Sequence, residues 1–198
     1  MAAEKSILIF GDSLSAAYGL ARERGWVALL EERLKRERPD YSVVNASVSG
    51  ETSAGGRARI AEALARHHPA VVVLELGGND GLRGLPVGEM KANLGAIIER
   101  SRAAGARVLL VGMRMPPNLG RRYTQDFEAV FSQTAKKYDT GFLPFLLAPV
   151  AADRVAFQPD NLHPVASAQP KLRDYVWTQL QPLLSAAPPA RATRASGG

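Results

Sequence analysis

Apolar residues in this chain fall into short unbroken runs that alternate with longer stretches at helical spacing. Ser6-Ile7-Leu8-Ile9-Phe10 is an apolar run stopped by Gly11, and it reads as a buried strand. Trp26, Leu29, Leu30 and Leu34 then recur on one helical face, which Pro39 ends. Tyr41 to Ala46 predicts a second strand, and a helix carrying Ile60 and Leu64 runs to Pro69. Val71-Val72-Val73-Leu74-Glu75-Leu76 is the clearest buried strand and leads into Gly77-Gly78-Asn79-Asp80. Met90, Leu94, Ile97 and Ile98 mark a helix closed by Gly105, and Val108 to Val111 supplies a fourth strand. Phe127, Val130, Phe131 and Tyr138 give another helical face, and Gly141-Phe142-Leu143 a short fifth strand. A final helix presents Leu172, Tyr175, Val176 and Leu180.

Strands that alternate with helices pair in parallel and bury both faces of their sheet, so the pattern predicts an α/β protein of three layers, α/β/α. The 198 residues suit one domain. We expect it to span 1–184, with 185–198 a disordered tail, because that stretch of Ala, Pro, Ser and Gly with two arginines buries too little surface to order itself. A hydrophobic share of 46% and a charged share of 22% belong to the ordinary soluble class. No run approaches the roughly 18 apolar residues of a membrane span. Met1-Ala2-Ala3-Glu4-Lys5 lacks the apolar core of a secretion signal, so the expected location is cytoplasmic if the sequence is complete as given. There is no cysteine, which excludes disulfides, thiolate nucleophiles and Cys-ligated metals. The net charge of +6 invites a nucleic-acid partner. Arg191 and Arg194 in the tail supply two of those charges, and Glu31 to Arg38 interleaves acids with bases as solvated helix faces do. With no basic stripe holding interleaved aromatics, the chain is not expected to bind nucleic acid.

Candidate chemistry gathers at the ends of the predicted strands, where open α/β sheets place their ligands. Ser13 follows the first strand on what reads as a sharp strand-to-helix turn, a setting that exposes a hydroxyl beside backbone N–H groups. Gly-Asp-Ser is equally ordinary turn and N-cap chemistry. A serine hydroxyl is a weak nucleophile that needs a base. His67 and His68 fall at a predicted helix C-terminus, where facing the dipole is a structural role. That leaves His163, which as a lone loop histidine could equally be a surface residue. Asp160, three positions before it, is near enough to orient the imidazole. Gly50 and Asn79 each follow a strand and offer an unobstructed N–H and a neutral amide to a developing oxyanion, though turn roles explain each alone. The order Ser, Asp, His matches the α/β-hydrolases, but Gly-Asp-Ser-Leu-Ser lacks the second glycine of Gly-x-Ser-x-Gly, and that fold takes its acid and base from separate loops.

Gly11-Asp12-Ser13-Leu14-Ser15, Gly50 within Asn45 to Thr52, Gly77-Gly78-Asn79-Asp80, and Asp160 with His163-Pro164 together resemble the four sequence blocks of the SGNH, or GDSL, hydrolases. The resemblance runs from about residue 6 to 184. It implies a flavodoxin-like five-stranded parallel sheet, Ser13 as nucleophile, His163 as general base and Asp160 as its orienter. It also implies an oxyanion hole made by the N–H groups of Ser13 and Gly50 with the Asn79 side chain. Glu75 to Gly84 and Arg114 to Tyr123 are similar to segments of the bacterial multifunctional acyl-CoA thioesterase, arylesterase and lysophospholipase group. That likeness implies a periplasmic location if an export signal precedes this sequence. Asn161 stands where the family usually has glycine, and asparagine tolerates the left-handed backbone nearly as well.

The expected activity is therefore hydrolysis of small-molecule acyl esters and thioesters through an acyl-enzyme, with no metal or other cofactor. An acetyl or carbohydrate esterase is the enzymatic alternative. A non-catalytic module is the other, either phosphate-binding or receiver-like through Asp12; a Gly-x4-Gly-Lys-Ser/Thr loop is absent and Asp12 has no acid beside it in sequence. Leu82, Leu85, Met115, Pro117 and Leu119 are apolar on two loops that should flank the oxyanion edge, and we expect them to line an acyl groove. The glycines of Gly81 to Pro86 give that segment freedom to close as a lid.

Overall fold

The computed structural model describes residues 5–185. Five parallel strands, β1 (Lys5–Gly11), β2 (Tyr41–Asn45), β3 (Val71–Glu75), β4 (Arg107–Val111) and β5 (Gly141–Leu143), form one sheet in the order β2-β1-β3-β4-β5. Six helices accompany them among the described residues: α1 (Trp26–Glu37), α2 (Ser53–His67), α3 (Gly78–Leu82), α4 (Val87–Ala103), α5 (Arg121–Tyr138) and α6 (Gln169–Ser185). Helices α1 and α6 pack together on one face of the sheet, and α2, α4 and α5 cover the other. This is the expected three-layer arrangement in the flavodoxin-like strand order. Ser185, placed in the tail by its composition, is the last residue of α6; the rest of the expected tail lies outside the described residues.

Ile7, Leu8, Ile9 and Phe10 are fully buried, as are Val71 to Leu74. Consecutive side chains of a strand point to opposite faces, so unbroken burial requires helices on both sides, and the unbroken apolar runs record that. The chain order reverses between β1 and β3, and such a crossing opens a crevice at the carboxyl ends of the strands. Every connection leaving those ends therefore borders one rim: residues 12–25 after β1, 46–52 after β2, 76–77 and α3 after β3, 112–120 after β4 and 144–168 after β5.

Two local expectations change. Ser13 does not open a helix, because residues 12–20 form consecutive turns and α1 starts only at Trp26. Ala17 at φ 60° and Gly19 at φ 73° hold left-handed conformations that stop a helix from propagating. The segment expected to be a lid also begins as helix. Gly77 turns the chain at φ 117° into α3, and buried Asp80 accepts hydrogen bonds from the Ser53 N–H at 2.8 Å and the Ser53 hydroxyl at 2.5 Å. Gly81 is seated so closely on Met115 and Phe127 that a Cβ would strike both, so it serves packing here rather than freedom. His67 and His68 close α2 as expected, with His68 left-handed at φ 42°.

Candidate active site

Ser13, His163 and Asp160 lie in one hydrogen-bonded line at the rim between β1 and β3. Ser13 Oγ is 2.8 Å from His163 Nε2, and His163 Nδ1 is 2.7 Å from Asp160 Oδ2. Asp160 Oδ1 accepts the backbone N–H groups of Leu162 at 2.9 Å and of His163 at 3.0 Å. The His163 N–H foremost, then that of Leu162, holds the Asp160 carboxyl down at about 2, so it is an anion at any working pH. An anionic carboxylate only accepts, so the proton stays on Nδ1, which donates it in a hydrogen bond to Asp160, and the Nε2 lone pair faces the Ser13 hydroxyl. The line can withdraw a proton from Ser13 while Asp160 offsets the charge that gathers on the imidazole.

The loop that carries His163 builds this geometry locally. Phe157 and Pro164 pair as an antiparallel bridge, Gln158 N–H donates to the His163 carbonyl at 2.8 Å, and Asn161 N–H to the Gln158 carbonyl at 2.9 Å. Asn161 takes φ 56°, the left-handed turn that glycine usually fills and asparagine tolerates, so this departure from the family pattern leaves the loop closed. The Tyr18 ring lies against the imidazole with centroids 4.4 Å apart. The Tyr18 carbonyl accepts from Gln158 Nε2 at 2.9 Å, which ties the Ser13 connection to the His163 loop.

Gly50 and Asn79 reach the same cleft. Gly50 is left-handed at φ 80°, and no acceptor among the described residues takes its N–H or that of Ser13. The Asn79 amide donates to Asp12 Oδ2 at 3.1 Å and to the Glu51 carbonyl at 2.9 Å, two acceptors that fix which end of the amide is the NH2. Ser13, Gly50 and Asn79 thus line one cleft, and each offers a donor of the kind that can receive an oxyanion.

The cleft has a volume of about 180 Å³, and its apolar lining is Leu14, Tyr18, Leu82, Met113 and Leu162. Of the five residues expected to line an acyl groove, Leu82 alone borders it. Leu85 is exposed beyond the rim, where its carbonyl accepts the Tyr123 hydroxyl. Met115 is buried with its sulfur beneath Gly81, Pro117 is exposed, and Leu119 packs against the core at the edge of a 3₁₀ turn. The apolar character of Met115 and Leu119 serves packing rather than the cleft. Leu14, Tyr18, Met113 and Leu162 carry no sequence pattern that separates them from core or loop residues.

Asp12 has an acid beside it after all. Parallel pairing sets Gly11 of β1 opposite Glu75 of β3, so the Glu75 side chain arrives next to Asp12. Both carboxyls are buried, Asp12 at 2% exposure and Glu75 at 4%. Burial pushes Asp12 up to about 6, and burial followed by the Asp12 charge pushes Glu75 well above the carboxylate range. An acid inside an otherwise apolar strand is a signal the sequence does display, and only the strand order tells what it meets. Among the described residues no group of three or more metal-ligating side chains occurs, so the receiver-like alternative finds no cluster at Asp12.

A flavodoxin-like sheet whose switch point carries a serine hydroxyl, an imidazole and a carboxylate in hydrogen-bonded series defines a hydrolytic enzyme of the serine type. The sequence profile of the GDSL-like Lipase/Acylhydrolase family matches residues 9–169, and the chain belongs to that family. Esterase TesA of Pseudomonas aeruginosa is 49% identical over 183 residues, 92% of this chain and 91% of the relative. Thioesterase 1/protease 1/lysophospholipase L1 of Escherichia coli K12 is 42% identical over 184 residues, 93% of this chain and 87% of the relative. Among solved structures, the psychrotrophic esterase EstA from Pseudoalteromonas, inhibited by monoethylphosphonate, superposes with a TM-score of 0.87 at 41% identity. That match covers 92% of this chain and 100% of EstA.

Proposed function

We propose that the protein hydrolyses carboxylic esters and thioesters of alkyl acids through an acyl-enzyme on Ser13. His163 Nε2 takes the Ser13 proton as the hydroxyl attacks the acyl carbonyl, and Asp160 stabilises the imidazolium that results. The oxyanion is met by the N–H groups of Ser13 and Gly50 and by the Asn79 amide. His163 then hands its proton to the departing alkoxide or thiolate, and water repeats the cycle on the acyl-enzyme. The 2.8 Å approach of Ser13 Oγ to His163 Nε2, in a cleft that Gly50 and Asn79 also line, carries this reading. The names of the relatives, esterase, thioesterase, lysophospholipase and arylesterase, agree with it.

Leu14, Leu82, Met113 and Leu162 favour an alkyl chain over a sugar. The cleft falls below the roughly 300 Å³ at which sites enclosing drug-sized ligands begin. It therefore encloses the carbonyl end of an acyl chain, and the remainder lies across the exposed Leu82 and Leu85. A fluorophosphonate probe tests the core of the proposal: wild type should be labelled once per chain and Ser13→Ala not at all. Labelling of Ser13→Ala, or p-nitrophenyl ester turnover by it above about a tenth of wild type, would refute the nucleophile, since losing a triad member costs several orders of magnitude.

A further inference from the structure

Two buried carboxyl groups lie directly beneath the oxyanion donors, and the line from Ser13 to Asp160 uses neither. Glu75 Oε2 accepts the Ser15 hydroxyl at 2.7 Å and the Asp12 N–H at 3.3 Å. Asp12 Oδ1 accepts the Leu14 N–H at 3.0 Å, and Asp12 Oδ2 accepts Asn79 Nδ2 at 3.1 Å. The Glu75 carboxyl thus sits against Asp12, and each carboxyl acts on the other's titration. Among the described residues no Lys or Arg forms an ion pair with either: the Glu51 carboxylate is engaged by Arg59 and Asp80 by Ser53, and His163 is the nearby base that acts on Asp12.

Two anions in so dry a place repel, so the pair holds a proton. Its position follows from the contacts. Asp12 Oδ1 accepts a backbone N–H, which cannot reverse, and Oδ2 accepts the Asn79 NH2, whose other hydrogen goes to the Glu51 carbonyl at 2.9 Å. Glu75 receives both of its outside donors on one oxygen and has the other free for a proton. We propose that Glu75 is a positioning residue: it keeps its proton, donates it to Asp12, and so fixes an anionic acceptor that turns the NH2 end of Asn79 toward the oxyanion. An amide can flip, presenting either its oxygen or its nitrogen. A protonated Asp12 could donate to Asn79 Oδ1 and stabilise the flipped form, which would aim a lone pair at the developing negative charge. An ionised Asp12 can only accept, so it joins the Glu51 carbonyl in excluding that form.

This inference rests on the oxyanion role given to Asn79, and its test separates the two. Glu75→Gln retains a neutral donor toward Asp12 and an acceptor for Ser15, so kcat should stay within about threefold of wild type, the size of a neutral hydrogen-bond exchange. Glu75→Leu removes the donor, and kcat should fall about tenfold or more with KM little changed, part of what a full oxyanion donor is worth. In an Asn79→Ala background that fall should vanish, because nothing remains to be oriented. Infrared difference spectra of wild type against Glu75→Gln at neutral pH should show the C=O stretch of a protonated carboxylic acid, a readout that packing alone would not produce. The proposal is overturned if that band is absent, or if Glu75→Gln loses as much kcat as Glu75→Leu. It is also overturned if Glu75→Leu keeps wild-type kcat or its loss persists beside Asn79→Ala. The infrared band and Glu75→Gln decide the matter even if Glu75→Leu does not fold. An Asn79→Ala enzyme with wild-type kcat overturns the oxyanion role and this inference with it, whereas an impaired Asn79→Ala beside an unimpaired Glu75→Leu overturns this inference alone.

Discussion

Asp12→Asn makes the buried pair visible in the stability of the whole fold. Burial raises the Asp12 carboxyl from its ordinary 3.8 to about 6. A group whose folded pKa lies above its unfolded value contributes stability that is fully present below the unfolded pKa and is lost as pH rises through the folded one. The gap corresponds to about 3 kcal/mol, at 1.36 kcal/mol for each factor of ten. Asparagine at position 12 does not titrate, so the free energy of unfolding of wild type minus that of Asp12→Asn should fall by about 3 kcal/mol between roughly pH 4 and pH 7. Glu75 shares the titration, and the measured step belongs to the pair. Subtracting the variant cancels every group the two proteins have in common. Urea unfolding followed by tryptophan fluorescence suits the measurement, because Trp26 and Trp177 are both buried and report the core. A difference that stays flat, or grows, across this window would refute the buried ionised carboxylate. Activity should fall in the same variant, because an amide at position 12 must present its NH2 either to the Leu14 N–H or to Asn79, leaving one donor facing another.

Three further outcomes follow from the same geometry. Ser13→Ala and His163→Ala should each remove nearly all esterase activity with unchanged circular dichroism, and the double variant should be little worse than either, because the members of a triad act as a unit; additive losses would show otherwise. Activity on p-nitrophenyl esters should rise from acetate toward medium chains by up to about fourfold in kcat/KM per methylene, from about 0.8 kcal/mol each, and Leu82→Ala should flatten that rise while sparing acetate. Preference for acetate in both proteins would count against an alkyl cleft. Gly81→Ala should cost about 1–3 kcal/mol by overpacking against Met115 and Phe127, read as a drop in the urea midpoint; an unchanged midpoint would show that α3 gives way easily.

Most of the fold is legible because fully buried strands must be apolar at every position. Val71 to Leu74 is such a run, and no other element in the chain reads that way so clearly. Convergence on the cleft is legible for the same reason: Ser13, Gly50 and Asn79 each follow a strand, and parallel strands end on one side of the sheet. The groove is not, because apolar character at a loop position has two causes. Leu82 is apolar beside the cleft, whereas Met115 is apolar because Gly81 and α3 rest on it, and sequence spacing does not tell these apart. Glu75 stands out within its strand, yet its neighbour Asp12 comes from a strand that is distant in sequence and adjacent only once the order β2-β1-β3 is known.

The segment from Phe157 to Val165 carries its acid, its base and the bonds that set their spacing within nine consecutive residues, and it meets the rest of the rim through Gln158 and the Tyr18 carbonyl. It is in effect a cassette. The contacts that set the distance from His163 to Asp160 lie within residues 160–163, and none of them comes from the connections after β3 and β4. Leu162 is the one apolar residue of this segment that also lines the cleft; the other apolar lining residues, Leu14, Tyr18, Leu82 and Met113, come from the connections after β1, β3 and β4.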